Sequence, residues 1–225
     1  MTDLPPLFLA NAIIDFIIKG GPIMYPILAV GLVAVCVVTE RIVWWLRLIL
    51  QRQPKRLEEV YTALEEGDLP RAISLSASST DPVVRMVHHG LNHHHSSMQG
   101  ALEVAAGREL QQAGRFLGAM DTIVTLGPLL GLLGTVTGIM GSFSSIGSSE
   151  LAVEKVTGGI GEALIATAAG LGIAITTLVP MNYFHGRLTQ LQFELEAAAN
   201  NVLILATQHG FDQLPVKQPG TTSKP

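Results

Sequence analysis

An all-α membrane protein, three transmembrane helices with long cytoplasmic helical extensions, is the fold class this sequence predicts, and three observations carry it. Of its 225 residues 48% are hydrophobic and only 14% charged, too apolar for an ordinary soluble domain and too poor in charge for a disordered chain. Two stretches, 28 residues between Asp121 and Glu150 and 24 between Glu162 and Arg187, hold no acidic or basic side chain except His185. Lysines and arginines are spread unevenly over the connecting segments, as the orientation of membrane helices requires. A net charge of −4 argues against a basic surface, so no nucleic-acid partner is expected. Cys36 stands alone in an apolar run, which excludes an internal disulfide and thiolate metal sites.

Taken in order, residues 1–21 read as a short interfacial helix on the periplasmic side. Asn11, Asp15 and Lys19 recur every fourth residue and draw one polar stripe along an otherwise apolar helix. Asp3 ahead of the first apolar run and Asp15 inside it argue against a cleavable signal peptide. Residues 22–46 form the first span: Tyr25 and Trp44 lie 19 residues apart, roughly 28 Å at the helical rise, which sets an aromatic ring at each face of a bilayer core. Glu40 and Arg41 fall one turn inside that boundary, where Arg41 can snorkel and Glu40 can pair with a neighbouring helix or subunit.

Residues 47–120 read as a cytoplasmic helical region. Pro54 opens one helix, Gly67 stops it, Asp68 caps a second through Leu69 to Ser76, and Asp81 followed by Pro82 repeats the start signal. From about Ser97 one helix is expected to run unbroken into the second span, residues 121–146. A short periplasmic turn, 147–157, joins it to an antiparallel third span, 158–184. Residues 185–212 continue as a cytoplasmic helical extension, with Leu188, Leu191, Leu195, Ala198, Val202 and Leu205 spaced as a packing seam. The tail 213–225 has a disordered composition. Eleven cations fall in 47–120 and beyond the third span, against Lys19 and Lys155 on the other side, so the N-terminus is expected in the periplasm and the C-terminus in the cytoplasm.

Gly127, Gly131, Gly134, Gly138, Gly141 and Ser145 are spaced 4, 3, 4, 3 and 4 apart and fall within an arc of roughly 80°. Gly159, Ala163, Ala166, Gly170 and Ala174 make a matching strip on the third span. Strips without side-chain bulk let helices approach backbone to backbone, so these helices pack against each other or against copies of themselves. Thr135 and Thr167 each lie about 20 Å from the cytoplasmic boundary and meet near the midplane of an antiparallel pair. Two readings are open. Each hydroxyl bonds a carbonyl of its own helix, or the two form a polar ring in an internal path, able to donate and accept relay hydrogen bonds. A relay needs an ionisable group at depth, yet only Glu162 comes near, five residues and about 140° of rotation from Thr167. A conducting path through these spans would have to take its carboxylate from a partner.

GPLLGLLGTVTGIMGSF at 127–143 and GGIGEALIATAAGLGIAI at 158–175, with the Glu40–Arg41 pair at the end of span one, resemble the proton-channel family of the flagellar stator, Tol and Ton energy-transducing systems, nearest its ExbB and TolQ branch. The resemblance implies a homopentamer around a pore that holds two copies of an ExbD/TolR-like single-span partner with a transmembrane Asp. It implies an inner-membrane proton channel or stator subunit that energises outer-membrane transport or envelope processes, with a TonB/TolA-like protein as a further partner. The pore residues would be Thr135, Thr167 and Glu162, with Gly131, Gly134, Gly138, Ala163, Ala166 and Gly170 packing the helices around the pore; no cofactor, metal or enzymatic activity is implied. Thr137 departs from the pattern where many relatives carry an aromatic, and a fourth span, usual in the flagellar branch, is missing. A TolQ-type envelope motor and a flagellar-type stator remain alternatives, and a non-conducting scaffold explains the small-residue strips without the threonines.

HHGLNHHH at 88–95 reads as a solvated surface segment. His89 and His93 would share a helix face, but Gly90 and Asn92 are expected to interrupt that helix, and no acidic or cysteine ligand clusters beside them. An intramembrane hydrolase using Ser142, Ser144 or Ser145 with His185 is disfavoured, because the two ends would be separated by most of a bilayer.

Overall fold

The computed structural model describes residues 19–95, 97–144 and 152–211, with side chains described for all of these except 144 and 152–155. Residues 1–18 of the expected interfacial helix, 147–151 of the expected turn and the whole of the tail 213–225 lie outside the described residues. The described residues are all-helical, without a strand: α1 (Met24–Leu50), α2 (Pro54–Glu65), α3 (Leu69–Ser76), α4 (Pro82–Asn92), α5 (Met98–Ala113), α6 (Leu117–Ser144) and α7 (Ala152–Gln208). Among the described residues, three helical stretches, Met24–Leu50, Met98–Phe143 and Val156–Gln208, are long and apolar enough to cross a membrane. The chain divides into two compact units, one formed by residues up to Ile42 with Phe116–Phe184, the other by Val43–Arg115 with the residues from His185 onward.

The first unit is built on small contacts. Met24, Ile27 and Ala166 form its buried centre, with Ile23, Leu130, Ala169 and Ile173 packed around them. Large apolar side chains such as Leu32, Val35, Met140, Leu164 and Val179 are exposed. A surface this greasy is stable in lipid and costly in water.

The second unit has an ordinary interior. Its helices begin at the signals read in the sequence: Pro54 and Pro82 occupy first-turn positions, the Asp68 carboxylate accepts from the Arg71 amide at 3.0 Å, and the Asp81 carboxylate accepts from the Val83 amide at 2.9 Å. Gly67, at φ +76°, takes the left-handed turn that lets α2 end and α3 start. α2 packs on α3, α3 on α4 and α4 on α5, burying Val60, Leu64, Met86, Val87, Leu91 and Leu102. Along α7, Leu191, Leu195, Ala198 and Val202 are buried, so the apolar seam read from the spacing is a packed face. Polar ties accompany it: Arg52 pairs with Glu194, His209 Nε2 lies 3.0 Å from the Glu65 carbonyl oxygen, and Tyr61 hydrogen-bonds Asn201 while burial pushes its phenol pKa up.

Two expectations are corrected here. The helix expected to run unbroken from Ser97 into the second span stops at Ala113 and resumes at Leu117. Gly114 favours a helix end, and Phe116 sits at φ +66°, a region L-residues seldom occupy and one no helix can pass through. The helix expected to break at Gly90 instead continues to Asn92. Gly90 is there for packing: the Leu102 side chain of α5 fills the place a Cβ would take, which repays the low helix propensity of glycine.

Candidate functional site

The two small-residue strips meet each other, which settles where the helices put them. A Cβ at Gly127 would come 2.7 Å from the Gly170 carbonyl oxygen, at Gly131 2.9 Å from Thr167 Cα, at Gly134 2.7 Å from Ala166 Cβ, and at Gly138 3.0 Å from Ala163 Cβ. The first three are closer than real Cβ atoms come and the fourth is unusually tight, so the glycines let α6 lie directly against the backbone and alanine methyls of α7. Ala163 and Ala166 are buried within this contact. A Cβ at Gly141, the last glycine of the strip, would meet nothing within 4 Å, although the neighbouring Ser142 still lies against Gly159 of α7.

Thr167 lies on this contact. Its hydroxyl donates to the Gly131 carbonyl at 2.7 Å, a bond between two helices. Thr135 is one turn further along α6, and its hydroxyl donates to the Leu132 carbonyl of its own helix at 2.7 Å. Both side chains are half-buried in the single chain.

Glu162 is set apart from both threonines. It lines a cleft of about 510 Å³ with Pro22, Ile23, Thr137, Gly138 and Ser142, and its carboxylate occupies the place a Cβ would take at Gly21, which stands at φ +69°. Neither Thr135 nor Thr167 lines the cleft. Thr137 and Ser142 are the polar residues there that a search for depth-matched threonines passes over; their hydroxyls donate to Leu133 and Gly138 carbonyls at 2.9 and 2.8 Å. A signal for the grouping existed in the spacing. Gly138, Gly141 and Ser142 share one face of α6, and Gly159 and Glu162 share one face of α7.

At the other end of the first unit, Arg41 is 1% exposed and donates through Nε and Nη2 to Glu40 at 2.5 and 2.8 Å, with the Phe116 ring 5.6 Å from its guanidinium carbon. The snorkelling expected of Arg41 is therefore corrected: its charge is held inside by its own sequence neighbour and an aromatic face. A planar, weakly hydrated guanidinium makes that burial affordable.

Helices of spanning length, outward-facing apolar side chains and a helix pair joined through small residues define an integral membrane protein. The chain belongs to the MotA/TolQ/ExbB proton channel family, whose model matches residues 78–197. It is 36% identical over 210 residues to the biopolymer transport protein ExbB-like 3 of Synechocystis sp., covering 90% of this chain and 99% of that one. It is 34% identical over 184 residues to ExbB-like 1 of the same organism, covering 77% and 72%. With the biopolymer transport protein ExbB of Neisseria gonorrhoeae it shares 39% identity over 85 residues, 37% of this chain and 39% of that protein.

Proposed function

We propose that this chain is the pore-forming subunit of a proton-driven stator in the bacterial inner membrane, with its N-terminus in the periplasm and its C-terminus in the cytoplasm. Five copies surround two transmembrane helices of an ExbD/TolR-like partner, and proton flow onto and off that partner's Asp drives movement that a TonB/TolA-like protein carries to the outer membrane. Family membership and the ExbB-like relatives support the class. One observation carries the mechanism: the central stretches of α6 and α7 offer hydroxyls but no acid or base of their own.

The hydrogen-bond geometry gives those hydroxyls a direction. Thr135 and Thr167 each donate to a backbone carbonyl, which leaves their oxygens as acceptors. An acceptor suits a protonated carboxylic acid, which donates, and gives nothing to a carboxylate, which needs donors. A socket of this kind holds a partner's Asp in its neutral form and releases it on ionisation, so each protonation step changes where the partner helix rests. Glu162, in its separate cleft, serves the pathway at another point along α7.

The test is Thr135→Val and Thr167→Val. Both variants are expected to assemble with the partner and to lose gradient-driven work; full activity in both removes the relay. Purified assemblies are expected as pentamers with partner helices along the axis, and a closed dimer or a ring with a filled centre contradicts the reading.

A further inference from the structure

The histidine-rich end of α4, which the proton pathway does not use, borders a pocket of about 370 Å³ in the second unit. Every side chain lining it is polar and none is a carboxylate; Ser78, Arg85, His88, His89, Asn92 and His93 dominate the wall. We propose that this pocket binds an oxyanion of the phosphate class.

Hydrogen bonds within the wall fix its shape and leave Arg85, Ser78, His89 and His93 to meet an anion. Asn92 Nδ2 lies 2.9 Å from His88 Nε2 and can only donate, so His88 carries its proton on Nδ1, pointed at Ser76 Oγ 3.0 Å away. That chain fixes His88 as part of the wall. Arg85 forks to Glu109 through Nε and Nη2 at 3.1 and 2.5 Å, which orients the guanidinium while its Nη1 stays outside the fork. Ser78 is held at φ +59° on the loop that rims the pocket. His89 and His93 stack at 4.5 Å with their planes 20° apart, and the Nδ1 of His89 is buried with no hydrogen-bond partner among the described residues.

Two stacked imidazoles repel once both are charged, and an anion between their edges and Ser78 removes that penalty. Burial first, then the charges of His93, Arg108 and His88, hold the His89 pKa below its ordinary value, against a hydrogen bond to the Ala101 backbone that raises it. Glu109 is the acid beside these groups and is engaged by Arg85. An arriving oxyanion therefore brings protons onto His89 and His93. A metal ion does not match the site, because no three His, Cys, Asp or Glu side chains gather among the described residues. The phosphoryl group could be free or carried by an anionic lipid.

The experiment is a histidine NMR titration of the full chain in phosphatidylcholine nanodiscs, with inorganic phosphate added, and in parallel in nanodiscs containing phosphatidic acid. Saturable rises in the His89 and His93 titration midpoints are expected. Ser78→Gly and His93→Gln should weaken binding about tenfold, the loss of one or two charge-assisted hydrogen bonds, while His209→Gln leaves it unchanged. Shifts with phosphate assign a free ligand, and shifts with phosphatidic acid alone assign a lipid. No saturable shift with either, or equal affinity in all three variants, overturns the site. Unchanged helical circular dichroism in Ser78→Gly keeps a loss of binding distinct from a loss of folding.

Discussion

The hydroxyl of Thr167 donates across the α6–α7 contact to the carbonyl of Gly131, the same carbonyl to which helical geometry assigns the amide of Thr135. The two threonines read from the sequence as a pair are thus joined through one backbone oxygen rather than through each other. Thr167→Ser keeps that bond and should keep gradient-driven activity. Thr167→Val should lose activity while costing about 0.6 kcal/mol of stability, typical of one interhelical bond in a membrane. Parallel transport and unfolding assays check both; an equal loss of activity in the two variants would assign the role to shape instead of the hydroxyl.

Backbone contact makes the strip intolerant of bulk. Gly131→Leu should destabilise the helix pair by about 1–3 kcal/mol or more, the usual cost of overpacking, and should abolish assembly on native gels. Gly141→Ala, with open space around it, should be neutral or gain up to about 1 kcal/mol of helix stability. A damaging Gly141→Ala would mean that another surface covers this residue in the assembly.

Arg41 holds its charge inside the first unit through Glu40 and Phe116. Arg41→Ala should cost about 1–3 kcal/mol, below the figure for a fully buried pair because Glu40 is 41% exposed. Replacing both members, Glu40→Gln with Arg41→Met, should cost less than Arg41→Ala alone. Thermal unfolding of the three proteins in detergent measures the order.

Asp81 is almost wholly buried and accepts from the amides of Val83 and Gln53 at 2.9 and 2.7 Å, with Arg52 at 3.6 Å. Asp81→Ala leaves α4 uncapped and an amide without its acceptor, and should cost about 1–2 kcal/mol. Faster hydrogen exchange confined to the start of α4 and to Gln53 is the expected signature.

The depressed pKa of His89 gives a pH dependence of known sign. The folded state binds fewer protons than the unfolded state below the ordinary value of 6.5. Stability therefore falls as pH drops from about 6.5 through the lower folded-state pKa. His89→Gln should flatten that part of the curve, and a denaturant series between pH 5 and 7.5 follows it.

Helix identity was legible because its causes are local. Pro54, Gly67, Asp68 and the Asp81–Pro82 pair mark helix ends by backbone chemistry alone, and the structure has ends at each. The glycine strip was legible as a contact surface, and the structure supplies its partner in the alanines of α7. The break at Phe116 was not, since its left-handed backbone is held by tertiary surroundings that include Arg41. Gly90 misled for the same reason: its value lies in room for Leu102, twelve residues along the chain. Residue spacing put Glu162 off the threonine axis, but the cleft it shares with Ile23, Thr137 and Ser142 depends on where α1 begins, which no periodicity within α7 reports.

Because the Glu162 carboxylate rests where a side chain at residue 21 would otherwise be, the chemistry of the third span is hostage to the backbone just ahead of the first. Purification tags, truncations or cross-links placed near residues 19–22 will perturb an acid 140 positions downstream, and a phenotype from such an alteration would masquerade as a defect in ion passage.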